Sequence, residues 1–417
     1  MKTIQRNSSY WIFLVIFHIG LSAVGQELQD KYPFLKLDQN EIDFYGDSSK
    51  FNTFFDKLDN VILTGEGQVN VLHIGGSHVQ GGTLEKTSRE NLQSLAPGLK
   101  SHRGLMFPYT LAETNNPFYY VVKKRGKWAG DRVSVSNHHS EWGVSGVTAT
   151  TYSPTSSAAM YAREIEDRFD FTKARIYYHQ CECSFQPVIE NVDLVATRID
   201  SVGKFFEAQF SQPQDTLYLA LSQTDTLQSQ FVLQGIQLLS EQPGVIYNTI
   251  GVNGAKTGDF FRGENFKDQV KMITPDLVIF GIGINDANTY AKKFNQKQYE
   301  KNYTELVETF RESNPDVAIL FMTNNDSYFQ KRYPNPNIYK VREAMINVSK
   351  QIDGAVWDFF EVMGGFDSIR YWEAYNLGRP DKIHFSREGY ALQSRLLFTA
   401  LRQSYGDYLS ARFQRQP

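Results

Sequence analysis

Apolar and polar positions follow two different rhythms along this chain. Over residues 69–74, 245–250, 277–280 and 317–322 the apolar residues run together in short blocks, the pattern of strands buried on both faces in a parallel sheet. Helical spacing occurs between the blocks. In residues 298–311, Tyr299, Tyr303, Leu306, Val307 and Phe310 recur at the interval of one buried helix face. Residues 84–95 and 391–401 read as further helices, and Ala355-Val356-Trp357 as another strand. Strands alternating with helices predict an α/β domain with a parallel sheet.

The middle of the chain breaks that rhythm. Tyr119-Tyr120-Val121-Val122, Ala174-Arg175-Ile176-Tyr177-Tyr178 and Thr216-Leu217-Tyr218-Leu219-Ala220-Leu221 are short runs set apart by Ser, Thr and Gly. Such strands at regular intervals predict a β-sandwich. The region, about 140 residues, is too long for a structureless connection. The expected organisation is therefore discontinuous. Residues 26–102 and 243–417 form the α/β domain, and residues 103–242 a β-rich insert after its first strand–helix unit.

Residues 1–25 read as a targeting segment: Lys2 and Arg6 precede an apolar stretch over 10–21, and Ala23-Val24-Gly25 offers small residues for cleavage. That stretch is roughly a dozen residues, short of the ~20 that span a bilayer. An exported protein, periplasmic or secreted and without stable membrane insertion after cleavage, is expected. A net charge of -3 gives no basic face and argues against a nucleic-acid partner. Cys181 and Cys183 are the two cysteines. They are expected to be free thiols on one face of a strand, because a metal site wants more ligands and so small a loop strains a disulfide.

The candidate chemistry lies in four pieces. Ser77 in Gly75-Gly76-Ser77-His78 follows the first strand. A turn there presents the hydroxyl at the C-terminal edge of the sheet, where α/β folds bind ligands, with helix amides favouring negative charge. Alone, the piece is equally a glycine-rich connection; without a following Gly-Lys-Ser/Thr it is no phosphate loop. In Asp381-Lys382-Ile383-His384 the carboxylate lies close enough to orient the imidazole, although an ordinary loop histidine beside a surface acid is the plainer reading of that piece alone. Asn285 in Gly283-Ile284-Asn285-Asp286 and Gly254 in Gly251-Val252-Asn253-Gly254-Ala255 offer an amide and an open backbone N–H, yet such pairs also mark common turns. His78 is a rival base whose neighbouring place on a helix faces elsewhere. Together the four pieces supply a serine, a base with its carboxylate, and oxyanion donors: the requirements of ester hydrolysis.

The ordered set Ser77, Gly254, Asn285 and His384 resembles the SGNH (GDSL-type) hydrolase family. The resemblance implies a three-layer α/β/α sandwich with a mostly parallel sheet. It also implies Ser77 as nucleophile, His384 as base with Asp381 as partner, an oxyanion hole from Ser77, Gly254 and Asn285, and no metal or cofactor. Gly76 stands where that family usually has Asp. The insert, with Arg103-Gly104-Leu105-Met106-Phe107-Pro108-Tyr109 and Trp142-Gly143-Val144-Ser145-Gly146, is similar to bacterial O-acetylpeptidoglycan esterases, in which this region is like a carbohydrate-binding module. An acetylated polysaccharide is the substrate implied. An acetyl transfer by the same serine, or a glycan-binding protein with a decayed site, are the alternatives. Trp142 is a candidate for sugar stacking, and Asn324, just beyond a strand end, for pocket lining.

Overall fold

The apolar blocks assemble into one six-stranded sheet. In the computed structural model, which describes residues 26–414, its strands are β1 (Ile42–Phe44), β2 (Gln68–Gly75), β3 (Gly244–Gly251), β4 (Leu277–Gly281), β5 (Ala318–Met322) and β6 (Ala355–Trp357). Their order is β1-β6-β5-β4-β2-β3. Neighbours run parallel, except that β1 is antiparallel to β6. The targeting segment expected at residues 1–25 lies outside the described residues.

Both faces of this sheet are buried, and successive side chains alternate between them. Val69, Val71, Leu277, Ile279, Ala318 and Leu320 enter one core. Leu72, Ile74, Val278, Phe280, Ile319 and Phe321 enter the other. Helices α1 (Ser49–Thr64), α2 (Thr83–Gln93) and α5 (Arg387–Gln414) cover the first face with residues such as Phe54, Leu84 and Leu396. Helices α3 (Gln296–Arg311) and α4 (Asn337–Gln351) cover the second with residues such as Leu306 and Val341. This is a three-layer α/β/α sandwich. Sequence reading omitted β1, α1 and α4.

Between β2–α2 and β3 lies the β-rich insert. Its strands, from Gly104–Met106 to Phe231–Leu239, form antiparallel sheets of seven and four strands. Side chains from both, such as Ile176 and Leu233 against Met160 and Leu219, share a core that continues into the α/β domain through Leu72 and Ile250. The junction carries Arg103, 2% exposed. It donates to Glu85 Oε1 and Oε2 at 3.2 and 3.0 Å and to the Tyr247 carbonyl at 3.0 Å. The expectation for the cysteines fails: Cys181 and Cys183 are joined in a disulfide. They sit in a turn after the strand Phe171–Tyr178 rather than on one face of it, and the turned backbone brings their Cα atoms to 5.1 Å, within bonding reach. No helix among the described residues is long and apolar enough to cross a membrane.

Candidate active site

Strands β2, β3 and β4 end on a row of glycines, with Gly251 and Gly281 each paired to Gly75. A Cβ on Gly251 would lie 2.5 Å from the Gln80 amide nitrogen, so the chain folds back over this strand end only because the residue is glycine. The fold-back is the short helix Ser77–Gln80, and it turns Ser77 toward the C-terminal loop. Ser77 Oγ lies 2.8 Å from His384 Nε2. His384 Nδ1 lies 2.7 Å from Asp381 Oδ2. Asp381 Oδ1 accepts from the N–H groups of Ile383 and His384, both at 3.0 Å. Burial tends to raise the Asp381 pKa, but these bonds, with His384 the largest, outweigh it and hold the carboxyl well below the usual range. An ionised Asp381 selects the Nδ1–H tautomer and leaves Nε2 free to accept from Ser77.

The loop that carries His384 is held at several points. Asn325 Nδ2 donates to the Ile383 carbonyl at 3.0 Å, and Tyr328 N–H to the Lys382 carbonyl at 2.9 Å. Ser386 Oγ accepts from Gly389 N–H at 3.1 Å, capping α5 immediately after the histidine. These bonds fix the imidazole before any ligand arrives.

Two further donors face the same edge. Gly254 has φ +81, with no atom nearer than 3.7 Å to where a Cβ would sit, and its N–H has no partner among the described residues. Asn285 Nδ2 donates to the Ala255 carbonyl at 3.0 Å. It lies 3.3 Å from the position of a Cβ on Gly76, directly beside the serine turn, with a second N–H to spare. Asp286 ties the two segments together by accepting from Thr257 N–H and, at 2.9 Å, from Thr257 Oγ1; burial raises its pKa to about 7 against those bonds.

Against this geometry the chain compares as follows. Residues 229–392 match the GDSL-like lipase/acylhydrolase family, a segment containing Gly254, Asn285, Asp381 and His384 but ending short of Ser77 on the other side of the insert. A peptidoglycan O-acetylesterase superposes with a TM-score of 0.70 at 19% identity, over 87% of this chain and 99% of that one. The chain has the SGNH hydrolase fold, and its C-terminal segment matches that acylhydrolase family. Smaller relatives align on part of it. A lipase/acylhydrolase from Enterococcus faecalis has 20% identity, 39% and 77% coverage and TM-score 0.31. A carbohydrate esterase family 3 protein from Talaromyces cellulolyticus has 21%, 38% and 72%, and TM-score 0.31. No curated protein matches by sequence.

The hydrolase fold brings Ser77, Gly254, Asn285, Asp381 and His384 to one strand edge; it does not bring the other two candidates to its surface. Trp142 is 3% exposed, packed in the core with the Arg262 guanidinium 4.7 Å from its ring centroid, so it offers no face to a sugar. Asn324 is buried behind Gly283, where a Cβ would meet its Nδ2 at 2.6 Å. Sequence reading missed Gln80, three residues after the serine. Its Oε1 accepts from Asn253 N–H at 2.7 Å, while its Nε2 donates to the Asn115 carbonyl at 3.1 Å and to Thr114 Oγ1 at 3.2 Å. Ser134 Oγ donates to the Asn253 carbonyl at 2.7 Å. The insert therefore helps clamp the loop that presents Gly254, a role no local pattern announces.

Proposed function

We propose that this hydrolase removes O-acetyl groups from a cell-wall polysaccharide through an acetyl–Ser77 intermediate. The observation that carries the reading is the unbroken hydrogen-bond relay Ser77–His384–Asp381, at 2.8 and 2.7 Å. His384 Nε2 takes the Ser77 proton as Oγ bonds to the acetyl carbonyl carbon. The oxygen of that carbonyl becomes an oxyanion, which the N–H groups of Ser77 and Gly254 and the Asn285 amide receive. The tetrahedral intermediate collapses, the C–O bond to the glycan breaks, and His384 returns its proton to the departing sugar oxygen. Water then attacks the acetyl–serine with His384 again as base, releasing acetate and restoring Ser77. Asp381, kept ionised, stabilises the imidazolium in both halves.

The glycan part of the reading rests on the inserted β domain and on the shared architecture with a peptidoglycan O-acetylesterase. Export rests on residues 1–25, and a periplasmic or secreted location follows from it. The test is acetate release from O-acetylated peptidoglycan, with nitrophenyl acetate as a sugar-free ester, by wild type, Ser77→Ala and His384→Ala. Acetate from wild type alone supports the reading. Equal background from all three overturns it, and turnover of nitrophenyl acetate without release from the glycan overturns the substrate.

A further inference from the structure

We infer that the hairpin formed by Tyr328–Phe329 and Tyr333–Pro334, with Tyr290 beside it, is a subsite that stacks a sugar ring of the substrate chain and pairs with a carboxylate on that ring. This deepens the reading above and rests on it. Phe329 pairs directly with Tyr333, and Tyr328 with Pro334. Side chains on such a ribbon alternate between faces, and the two faces differ sharply here. On one, Tyr328 is 9% exposed, with its hydroxyl 2.7 Å from Asp367 and Lys382 Nζ 5.1 Å from its ring centroid. On the other, Tyr333 is 62% exposed and Tyr290 59%, and the Tyr290 and Phe329 rings meet at 5.3 Å. One face anchors the hairpin; the other is an open aromatic ledge.

The hairpin is tied to the loop that carries His384. Tyr328 N–H donates to the Lys382 carbonyl at 2.9 Å, two residues before His384, and Tyr290 follows Asn285 by five residues. The turn holds two non-glycine residues in the left-handed region, Gln330 at φ +52 and Lys331 at φ +61. That conformation costs energy and keeps the tip tight. Charge sets the ligand class. Lys293, Lys331 and Arg332 are exposed, and none has a carboxylate partner among the described residues, in a chain whose net charge is -3. Lys293 Nζ lies 5.8 Å from the Tyr290 ring centroid; ring faces next to cations without a carboxylate partner fit a hexopyranose that carries a carboxylate, such as the free lactyl group of a muramyl residue without its peptide, better than a neutral sugar.

Binding tests this without turnover. Peptidoglycan glycan strands, stripped of peptide and O-acetyl groups, present carboxylates; chitin oligosaccharides of equal length present the same rings without them. Calorimetry on the whole protein is expected to show the strands bound about tenfold more tightly than chitin. Lys331→Ala with Arg332→Ala is expected to abolish that preference. Tyr333→Ala, on an exposed side chain, is expected to weaken both ligands at least about fivefold. Equal affinity of wild type for the two ligands, or unchanged affinities in the variants, overturns the inference. Carboxylate-selective binding by a protein that releases no acetate would overturn the esterase reading and leave the subsite standing.

Discussion

The His78 ring lies against the His384 ring, centroids 5.1 Å apart and planes 26° from parallel, yet its hydrogen bond goes to the Tyr390 hydroxyl at 3.0 Å. Two imidazoles thus share the site with different duties. Burial, then the charge of a protonated His384, pushes the His78 pKa down to about 3. His78 stays neutral when His384 takes a proton, and it packs a face that water would otherwise reach. It packs against His384 and makes no hydrogen bond to Ser77.

A pH effect on stability follows. The unfolded chain protonates His78 near the ordinary value of about 6.5, while the folded protein resists until about 3. Between those values the unfolded state binds more protons, so stability present above pH ~6.5 is lost as pH falls, with a slope approaching about 1.4 kcal/mol per unit from this residue. In His78→Gln the loss between pH 7.5 and 5 is expected to be smaller. Urea unfolding at both values checks this; parallel losses in the two proteins would show that His78 titrates normally.

The relay predicts non-additive kinetics. Ser77→Ala and His384→Ala are each expected to lower kcat for an acetyl ester by about 10⁶-fold, and the double variant no further, because the two act as a unit. Asp381→Asn is expected to cost about 10⁴-fold by presenting the wrong tautomer. A double variant much slower than either single one would separate the serine and the histidine into different roles.

Much of this was legible from sequence because the signals are local. Two-sided apolar blocks marked β2 to β6, and the site motifs each lie within a few residues at a strand end. The α1 helix is equally legible, with Phe51, Phe54, Phe55, Leu58 and Val61 on one face, although it precedes the first motif and carries none of the site. What sequence withheld is long-range. The hold of Asn325 on the Ile383 carbonyl spans 58 residues, and that of Gln80 on Asn253 spans 173. Trp142 shows the limit of composition: an aromatic in a sandwich is more often core than sugar platform, and only its burial decides between the two.

In the proposed mechanism the oxyanion donors are separable from the relay. Asn285→Ala is expected to lower kcat by about 10²- to 10³-fold with KM little changed, since the amide acts on charge that develops only in the transition state. Labelling of Ser77 by a fluorophosphonate probe is expected to slow while the melting temperature holds. A variant that loses KM alone would place Asn285 in ground-state binding.

The Arg103–Glu85 pair at the domain junction is expected to be structural. Both side chains are 2% exposed, and Arg89 Nη1 also lies 3.9 Å from Glu85 Oε2, so removing Arg103 leaves the buried carboxylate with the longer of its two ion pairs. Arg103→Met is expected to destabilise by about 3 kcal/mol, whereas Arg103→Met with Glu85→Leu is expected to lose less than the sum of the single variants. Chemical denaturation of the three proteins checks the ordering, and additive losses would indicate that the two residues do not act as a pair.

Asp326 sets a second pH effect of opposite sign. It is fully buried, one carboxylate oxygen has no hydrogen-bond partner, and the other accepts from Ile369 N–H at 3.2 Å. Burial raises its pKa to about 7, against backbone hydrogen bonds that favour the ion. The folded protein therefore holds this proton up to about pH 7, while the unfolded chain releases it near 3.9. Stability from this group is fully present below about 3.9 and is lost as pH rises toward 7, by on the order of 4 kcal/mol in all. Asp326→Asn keeps the acceptor for Ile369 and cannot ionise. Relative to wild type, the variant is expected to gain stability from pH 4 to about pH 7 and to hold that gain to pH 8, read by urea unfolding. A constant difference across that range would mean that Asp326 is already ionised at pH 4.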